Sequence, residues 1–235
     1  EHAGMGAVLQ LEFLALSTSV RRFGRDAARR SADQPHGGRP GQEPDDRAPL
    51  GLGDVAAEVG ELQGPQEHGV ALARALQRYG VGHVQLKWPN DVMHEGKKLA
   101  GILIESRSIE QKIKKMVIGI GLNLYNPLTP SSINDHAITS IFSLQKKTPR
   151  RNQLAGLILK NLILSLIDFE AKGLNFFMGD LQRLDSLSGK LIIIKNQNHL
   201  LEGIGKGINL QGQLCVQINN KTYSFNNGEI QIKIK

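Results

Sequence analysis

Lys87-Trp88-Pro89-Asn90-Asp91, then Gly96-Lys97-Lys98-Leu99-Ala100-Gly101-Ile102-Leu103-Ile104-Glu105, decide how this chain reads. Val84 to Trp88 alternates like a half-buried strand, and Leu99 to Glu105 is apolar enough for a buried one. Pro89-Asn90-Asp91 marks a turn, and Glu95-Gly96-Lys97 marks a second, consistent with a hairpin. Lys98 stands at the start of an otherwise apolar strand, where an ammonium must meet an anion or bend out to water. Asn90 and Asp91 offer a carbonyl, an amide and a carboxylate at one turn. That set suits a ribose, an amino group or a hydrated magnesium ion. Gly101 leaves room for a ligand against the backbone. The same residues also make an ordinary polar hairpin, and pattern alone leaves both readings open.

Working outward, order begins near Glu67, and His68 to Tyr79 is Ala/Leu-rich, with Val70, Ala73 and Leu76 on one helical face and Gly80 and Gly82 as the stop. Met116 to Leu124 reads as a strand with Gly119 and Gly121 on one side of the pleat. Asn152 to Ala171 has helical periodicity, and Asn175 to Leu184 reads as a further helix. From Lys190 onward the pattern is all β, with strands expected at 190–195, 199–207, 213–218, 221–225 and 229–234. Gly and Asn punctuate them at the spacing of a small closed barrel.

Upstream the character changes. No Lys precedes Lys87, no Asn precedes Asn90 and no Ile precedes Ile102. This reads as two coding backgrounds joined, or a frame misread upstream. Ser31 to Gly53 is dense in Gly, Pro and charge without any period, so residues 1–66 are expected to be loop-rich or disordered.

The net charge of +7 is compatible with nucleic acid or anionic substrates. Scattered cations, few aromatics and no helix-turn-helix pattern favour a solvated basic surface, with no nucleic acid expected. The single cysteine, Cys215, excludes an intrachain disulfide. No apolar run has a membrane helix's length and the first residues lack a signal pattern, so a cytoplasmic location and no membrane contact are expected.

The quoted segment resembles the signature of biotin–protein ligases, K-W-P-N-D followed by G-x-K-L-A-G-I-L-x-E. Val117-Ile118-Gly119-Ile120-Gly121-Leu122-Asn123 is similar to that family's V-x-G-I-G-I-N-V strand. Gly189-Lys190, Glu202-Gly203, Gly207-Ile208-Asn209, Gly212, Leu214 and Gly228-Glu229-Ile230 resemble its C-terminal barrel. The resemblance covers about residues 67–235. It implies an α+β fold, with a mixed β-sheet catalytic domain over 67–185 and a small SH3-like β-barrel over 186–235. It further implies a short ligase without a DNA-binding domain, compatible with a homodimer. The implied reaction joins biotin to ATP as biotinyl-5'-adenylate, with Mg2+, and passes the biotinyl group to a lysine of a biotin carboxyl carrier protein.

By the same resemblance, Lys98 is the catalytic residue and contacts biotin's carboxylate, and Gly101 and Gly119 are small positions against biotin. Trp88, Asn90, Asp91 and Asn123 lie on the nucleotide side, with Asn123 near the phosphates or the magnesium; Trp88 also reads as plain core. The family's arginine-rich loop, G-R-G-R-x-G-R-x-W, has no matching run here. Arg21-Arg22-Phe23-Gly24-Arg25 carries the charges without the glycine spacing. Two alternatives therefore stand: a non-catalytic or crippled remnant that binds biotin or adenylate weakly, and a lipoate–protein ligase-like enzyme.

Overall fold

Alternating apolar residues and tight turns build two antiparallel sheets, and the helices cover one of them. The structure is a computed structural model that describes residues 8–15, 66–109, 112–126, 138–196, 199–226 and 230–235. Arg21, Arg22 and Arg25, and the Gly/Pro-rich stretch 31–53, lie outside the described residues.

The first sheet comprises β1 (Val8–Ala15), β2 (Val84–Lys87), β3 (Asp91–His94), β4 (Lys97–Ile109) and β5 (Lys112–Asn123), in the order β1-β5-β4-β3-β2. All its described strand pairs are antiparallel. This corrects the mixed sheet expected from sequence. Parallel geometry occurs only in two isolated bridges, Leu86 with Asp185 and Lys98 with Ile138. The reason is local: β2, β3 and β4 follow one another through tight turns, which force antiparallel neighbours. β1 is a second departure, because it lies within the span expected to be loop-rich and pairs along its whole length with β5.

The turn between β3 and β4 is Glu95-Gly96, with φ of +47° and +75°. Two consecutive positive φ values match the right-handed twist of a two-residue hairpin, and Gly96 adopts one without a Cβ penalty. His94 then pairs with Lys97, but Val92 pairs with Ala100 and Met93 with Lys98, so Leu99 is an extra residue. This bulge resets which side chains share a face.

One face of the sheet carries the core. Val92, Ala100, Ile102, Ile118, Ile120 and Leu122 are all at most 2% exposed. Helices α1 (Gln66–Arg78) and α3 (Arg151–Lys172) cover this core. The sequence places Val70, Ala73 and Leu76 on the buried face of α1. The helix is in fact enclosed nearly all round, since Ala71, Leu72 and Ala75 are also at 0%. Gly80, at φ +94°, ends it. A short helix α2 (Ile141–Gln145) is capped by Ser140, whose hydroxyl accepts from Ser143 N. A 3₁₀ turn over Leu174–Phe177 leads into α4 (Met178–Leu184). Arg74 ties α1 to α4 through Asp180, with Nη2 to Oδ2 at 2.5 Å. Burial alone pushes the Asp180 carboxyl up, but hydrogen bonds from Arg183 and Arg74 prevail and hold it below its usual range.

The second sheet comprises β6 (Leu191–Asn196), β7 (His199–Ile208), β8 (Leu214–Ile218), β9 (Lys221–Phe225) and β10 (Gln231–Ile234), in the order β10-β6-β7-β8-β9. All five strands fall where the sequence places them. Among the described residues no strand pairing joins β9 to β10, so the expected closure into a barrel is not seen. Ile192, Ile194, Leu214, Val216, Ile218 and Phe225 form its core, and Trp88 from the first unit packs into that core. At Gly205 the backbone of Leu187 passes so near that an added Cβ would lie 3.0 Å from the Leu187 carbonyl carbon and nearer still to its oxygen. Only glycine fits there.

Candidate functional site

The bulge at Leu99 places Lys98 on the sheet face that carries Gly101, opposite the helices. Lys98 Nζ lies 2.5 Å from Asp91 Oδ1, the carboxylate at the end of the Pro89-Asn90-Asp91 turn. A Cβ at Gly101 would lie 3.5 Å from Lys98 Cε, 3.5 Å from Nζ and 3.8 Å from Asp91 Oδ1. Gly101 therefore keeps an open approach to this pair. Lys98 is 39% exposed at the side chain and Asp91 15%, so the ammonium faces the open side of the sheet while the carboxylate supports it from within.

Asn123 sits at the end of β5. Its Nδ2 donates to the Lys98 carbonyl oxygen at 3.3 Å and to Thr139 O at 3.2 Å. The Lys98 carbonyl also accepts from Thr139 N at 3.0 Å. Asn123 thus fixes the backbone that carries Lys98. Its Oδ1 is the acceptor of the side chain. Asn90 accepts from Ile102 N through its backbone oxygen at 2.9 Å, which pins the turn to β4.

Gly119 pairs with Leu103 across β4 and β5, two residues along from the Gly101–Gly121 pair. A Cβ there would meet Leu103 O at 3.6 Å and Leu103 Cβ at 3.8 Å, which is ordinary contact. Gly101, Gly119 and Gly121 leave a shallow strip on the open face, beside a Leu103 that is 60% exposed.

Trp88 is placed differently from the other candidates. It is 6% exposed and belongs to the core of the second sheet. Its Nε1 donates to Gly212 O at 3.0 Å, and Gln66 Nε2 donates to the same oxygen at 3.0 Å. Both are buried bonds that cross the seam between the two units. Trp88 still lines, with Asn90, Asp91, Gln66 and Asp185, a cavity at that seam. The site therefore divides in two. Lys98, Asp91, Gly101 and Asn123 form one cluster with Gly119 nearby along the strip, and Trp88 anchors the seam behind it.

Lys87 was not singled out from sequence, although its alternation with Gln85 contained the signal. It pairs in register with Asp91 and is 5% exposed. Burial holds its ammonium below the usual lysine range; the Asp91 carboxylate opposes that effect and the Lys98 charge adds to it. Lys87, Asp91 and Lys98 are therefore one electrostatic unit.

Residues 56–123 match the biotin/lipoate A/B protein ligase family. The match includes every residue of the Lys98 cluster. The bifunctional ligase/repressor BirA of Escherichia coli is 30% identical over 168 residues, covering 70% of this chain and 51% of BirA. Residues 56–123 carry this family's segment, and the chain resembles biotin–protein ligases. The biotin–[acetyl-CoA-carboxylase] ligase of Mycobacterium tuberculosis is 31% identical over 156 residues, covering 62% of this chain and 52% of that protein. The biotin protein ligase of Aquifex aeolicus superposes with a TM-score of 0.65 at 25% identity, covering 74% of this chain and 75% of that one. Its complex with biotin and ATP has the same TM-score at 24% identity and shares the fold, covering 74% and 72%. The chain spans about half the length of the curated relatives it matches. Among the described residues no helix is long and apolar enough to cross a membrane.

Proposed function

We propose that this chain uses ATP to attach biotin to a lysine of a biotin carboxyl carrier protein through biotinyl-5'-adenylate. The observation that carries the reading is the Lys98–Asp91 pair, held beside Gly101 on an open sheet face. In the first step a biotin carboxylate oxygen attacks the α-phosphorus of ATP. A bond forms between that oxygen and phosphorus, the bond to the β-phosphate bridge breaks, and pyrophosphate leaves. Two anions must meet, so a fixed cation at the reacting oxygens lowers the barrier. Lys98 supplies it, and Asp91 orients its ammonium before substrate arrives. In the second step the neutral carrier lysine amine attacks the acyl carbon, AMP leaves, and the amine loses a proton.

Gly101 and Gly119 would border biotin, while Asn90 and Asp91 would face the nucleotide. Asn123 would hold the Lys98 backbone and offer Oδ1 towards the phosphates. Trp88 would act on this side by fixing the turn that bears Asn90 and Asp91. Among the described residues no group of three or more His, Cys, Asp or Glu side chains could cage a metal ion. This donor set suits magnesium arriving on ATP as part of the substrate, with its coordination completed by phosphates and water. In this reading residues 67–185 are the catalytic unit and 186–235 an SH3-like C-terminal unit, in a cytoplasmic protein.

The test is transfer of labelled biotin to a carrier domain with ATP and magnesium, using the chain as it stands. Adenylate formation is followed separately by biotin-dependent exchange of pyrophosphate into ATP. Failure of both reactions, with biotin still bound, would mark the chain as a binding remnant and overturn the proposal.

A further inference from the structure

Helix α3 is apolar on two sides. Leu154, Ile158 and Leu162 bury one side in the core, with Asn161 and Ser165 beside them. On the other side Leu159, Ile163 and Ile167 are 40%, 48% and 59% exposed, and Leu164 next to them is 47% exposed. Asn152, Gly156, Leu159, Ile163, Ile167 and Glu170 are all exposed and follow one another at steps of three or four residues. That spacing sets them in one row along the helix. An exposed apolar row with polar ends marks a place where another protein sits. Steps of three and four are those of a seam between two helices. The row lies on the side of α3 turned away from the sheet, so it does not overlap the open face that carries Lys98.

The ends of α3 indicate which partner fits. The helix starts after Arg150 with no side-chain capping bond and has no acidic residue in its first turn. The positive end of the helix dipole there meets Arg150 and Arg151, so it lacks negative charge. The last turn carries the opposite mismatch. Glu170 stands at the negative end of the dipole, and Lys172, the basic residue of that turn, is engaged by Asp168 at 2.8 Å. Glu170 has no salt bridge among the described residues. Each end of α3 offers what the other end needs, and one helix cannot bring its own two ends together. A second α3 running antiparallel does. With a two-fold axis beside Asn161, Leu159 faces the second copy's Ile163 and Asn152 faces its Glu170. Gly156 costs the helix stability relative to alanine, and a Cβ added there meets nothing within 4 Å in its own chain. In the antiparallel pair it makes room for the second copy's Ile167.

We infer that two copies of this chain pair through α3, antiparallel and about a two-fold axis. Leu159, Ile163 and Ile167 form the centre of the seam. Leu164 flanks it, and Lys160 at its edge keeps its ammonium in water. Each Glu170 carboxylate accepts from the other copy's Asn152 amide, beside the N-terminus of that copy's helix. The contact is a single helix pair, smaller than the interface of a stable dimer, so its Kd is on the order of 10 μM. The pairing leaves both Lys98 clusters open, and it stands independently of the proposed function.

The test is sedimentation velocity of the intact chain over a concentration series spanning about 1 to 200 μM, either side of that Kd. A monomer–dimer equilibrium is expected. Ile163→Glu puts a carboxylate into each half of the seam and should raise the Kd roughly 30-fold or more. Leu200→Glu, on β7 and away from the row, replaces a residue that is 71% exposed and should leave the Kd unchanged. Asn152→Asp sets two carboxylates together, and Glu170→Lys takes the acid from the other copy's helix end. Each should raise the Kd about tenfold, because the symmetric contact is lost twice. The double variant reverses the pair and should return the Kd to within about threefold of the parent. That recovery would not occur if the single changes merely damaged the fold. A chain that stays monomeric throughout, or a dimer that ignores Ile163→Glu, overturns the inference. So does a dimer lost in both single variants and not regained in the double variant.

Discussion

Lys98→Ala removes the one cation that the bulge aims at the open face, and its effect on biotin binding is the sharpest test of the site. Removing one partner of a buried charge pair costs about 2–5 kcal/mol. Lys98 is 39% exposed, so solvent screens part of the interaction and the low end applies. About 2 kcal/mol corresponds to roughly a 30-fold rise in the biotin Kd. The structure adds a second effect. Without Lys98, the Asp91 carboxylate faces the incoming biotin carboxylate with no counter-charge, so like charges approach. Asp91→Asn should therefore restore part of the loss in the double variant, and alone should weaken carboxylate binding by releasing the Lys98 ammonium from its orientation. Calorimetry on the four proteins of this double-mutant cycle, with Lys97→Ala beside them, measures each effect. Equal Kd values for Lys98→Ala and Lys97→Ala would refute the placement of Lys98, and strict additivity would refute the role given to Asp91.

Three further outcomes follow from the fold. Gly205→Ala sets a Cβ against the Leu187 backbone, which cannot rotate away; it should cost about 3 kcal/mol or more in urea unfolding. Burial raises the Asp185 carboxyl above its ordinary 3.8, so its contribution to stability is present below that value and is lost as pH rises through the raised pKa. Asp185→Asn keeps an oxygen for Leu187 N and should flatten that part of the pH profile of thermal melting. Trp88→Phe loses the bond to Gly212 O while Gln66 still occupies that oxygen, so it should cost only about 1 kcal/mol, read from the shift in the urea midpoint.

The legible parts of this chain were those set by local chemistry. The Gly and Asn turns bracket the C-terminal strands closely, and Glu95-Gly96 marks the hairpin that brings Asp91 and Lys98 together. β1 was overlooked although Gln10 and Glu12 alternate with Leu9, Leu11 and Phe13, the period of a strand. Its partner β5 lies about a hundred residues away, so propensity alone carried the signal. The bulge at Leu99 was not legible, because a bulge exists only in the pairing of two strands. Antiparallel order and, among the described residues, the lack of pairing between β9 and β10 are likewise properties of long-range pairing. The Lys98 cluster was named from its motif, but the way Asn123 holds the Lys98 backbone emerged only from the fold.

The seam also supplies an instrument. Trp88 is the single tryptophan of the chain, and its indole is buried in the second sheet's core while its backbone leads into the Asn90-Asp91 turn. Intrinsic emission therefore comes from one location, with the three tyrosines as the only other background. A red shift would report water entering between the two units. A change in quenching on adding nucleotide would report motion of the turn. Stopped-flow fluorescence of the unlabelled chain can then time ligand arrival against opening of the seam.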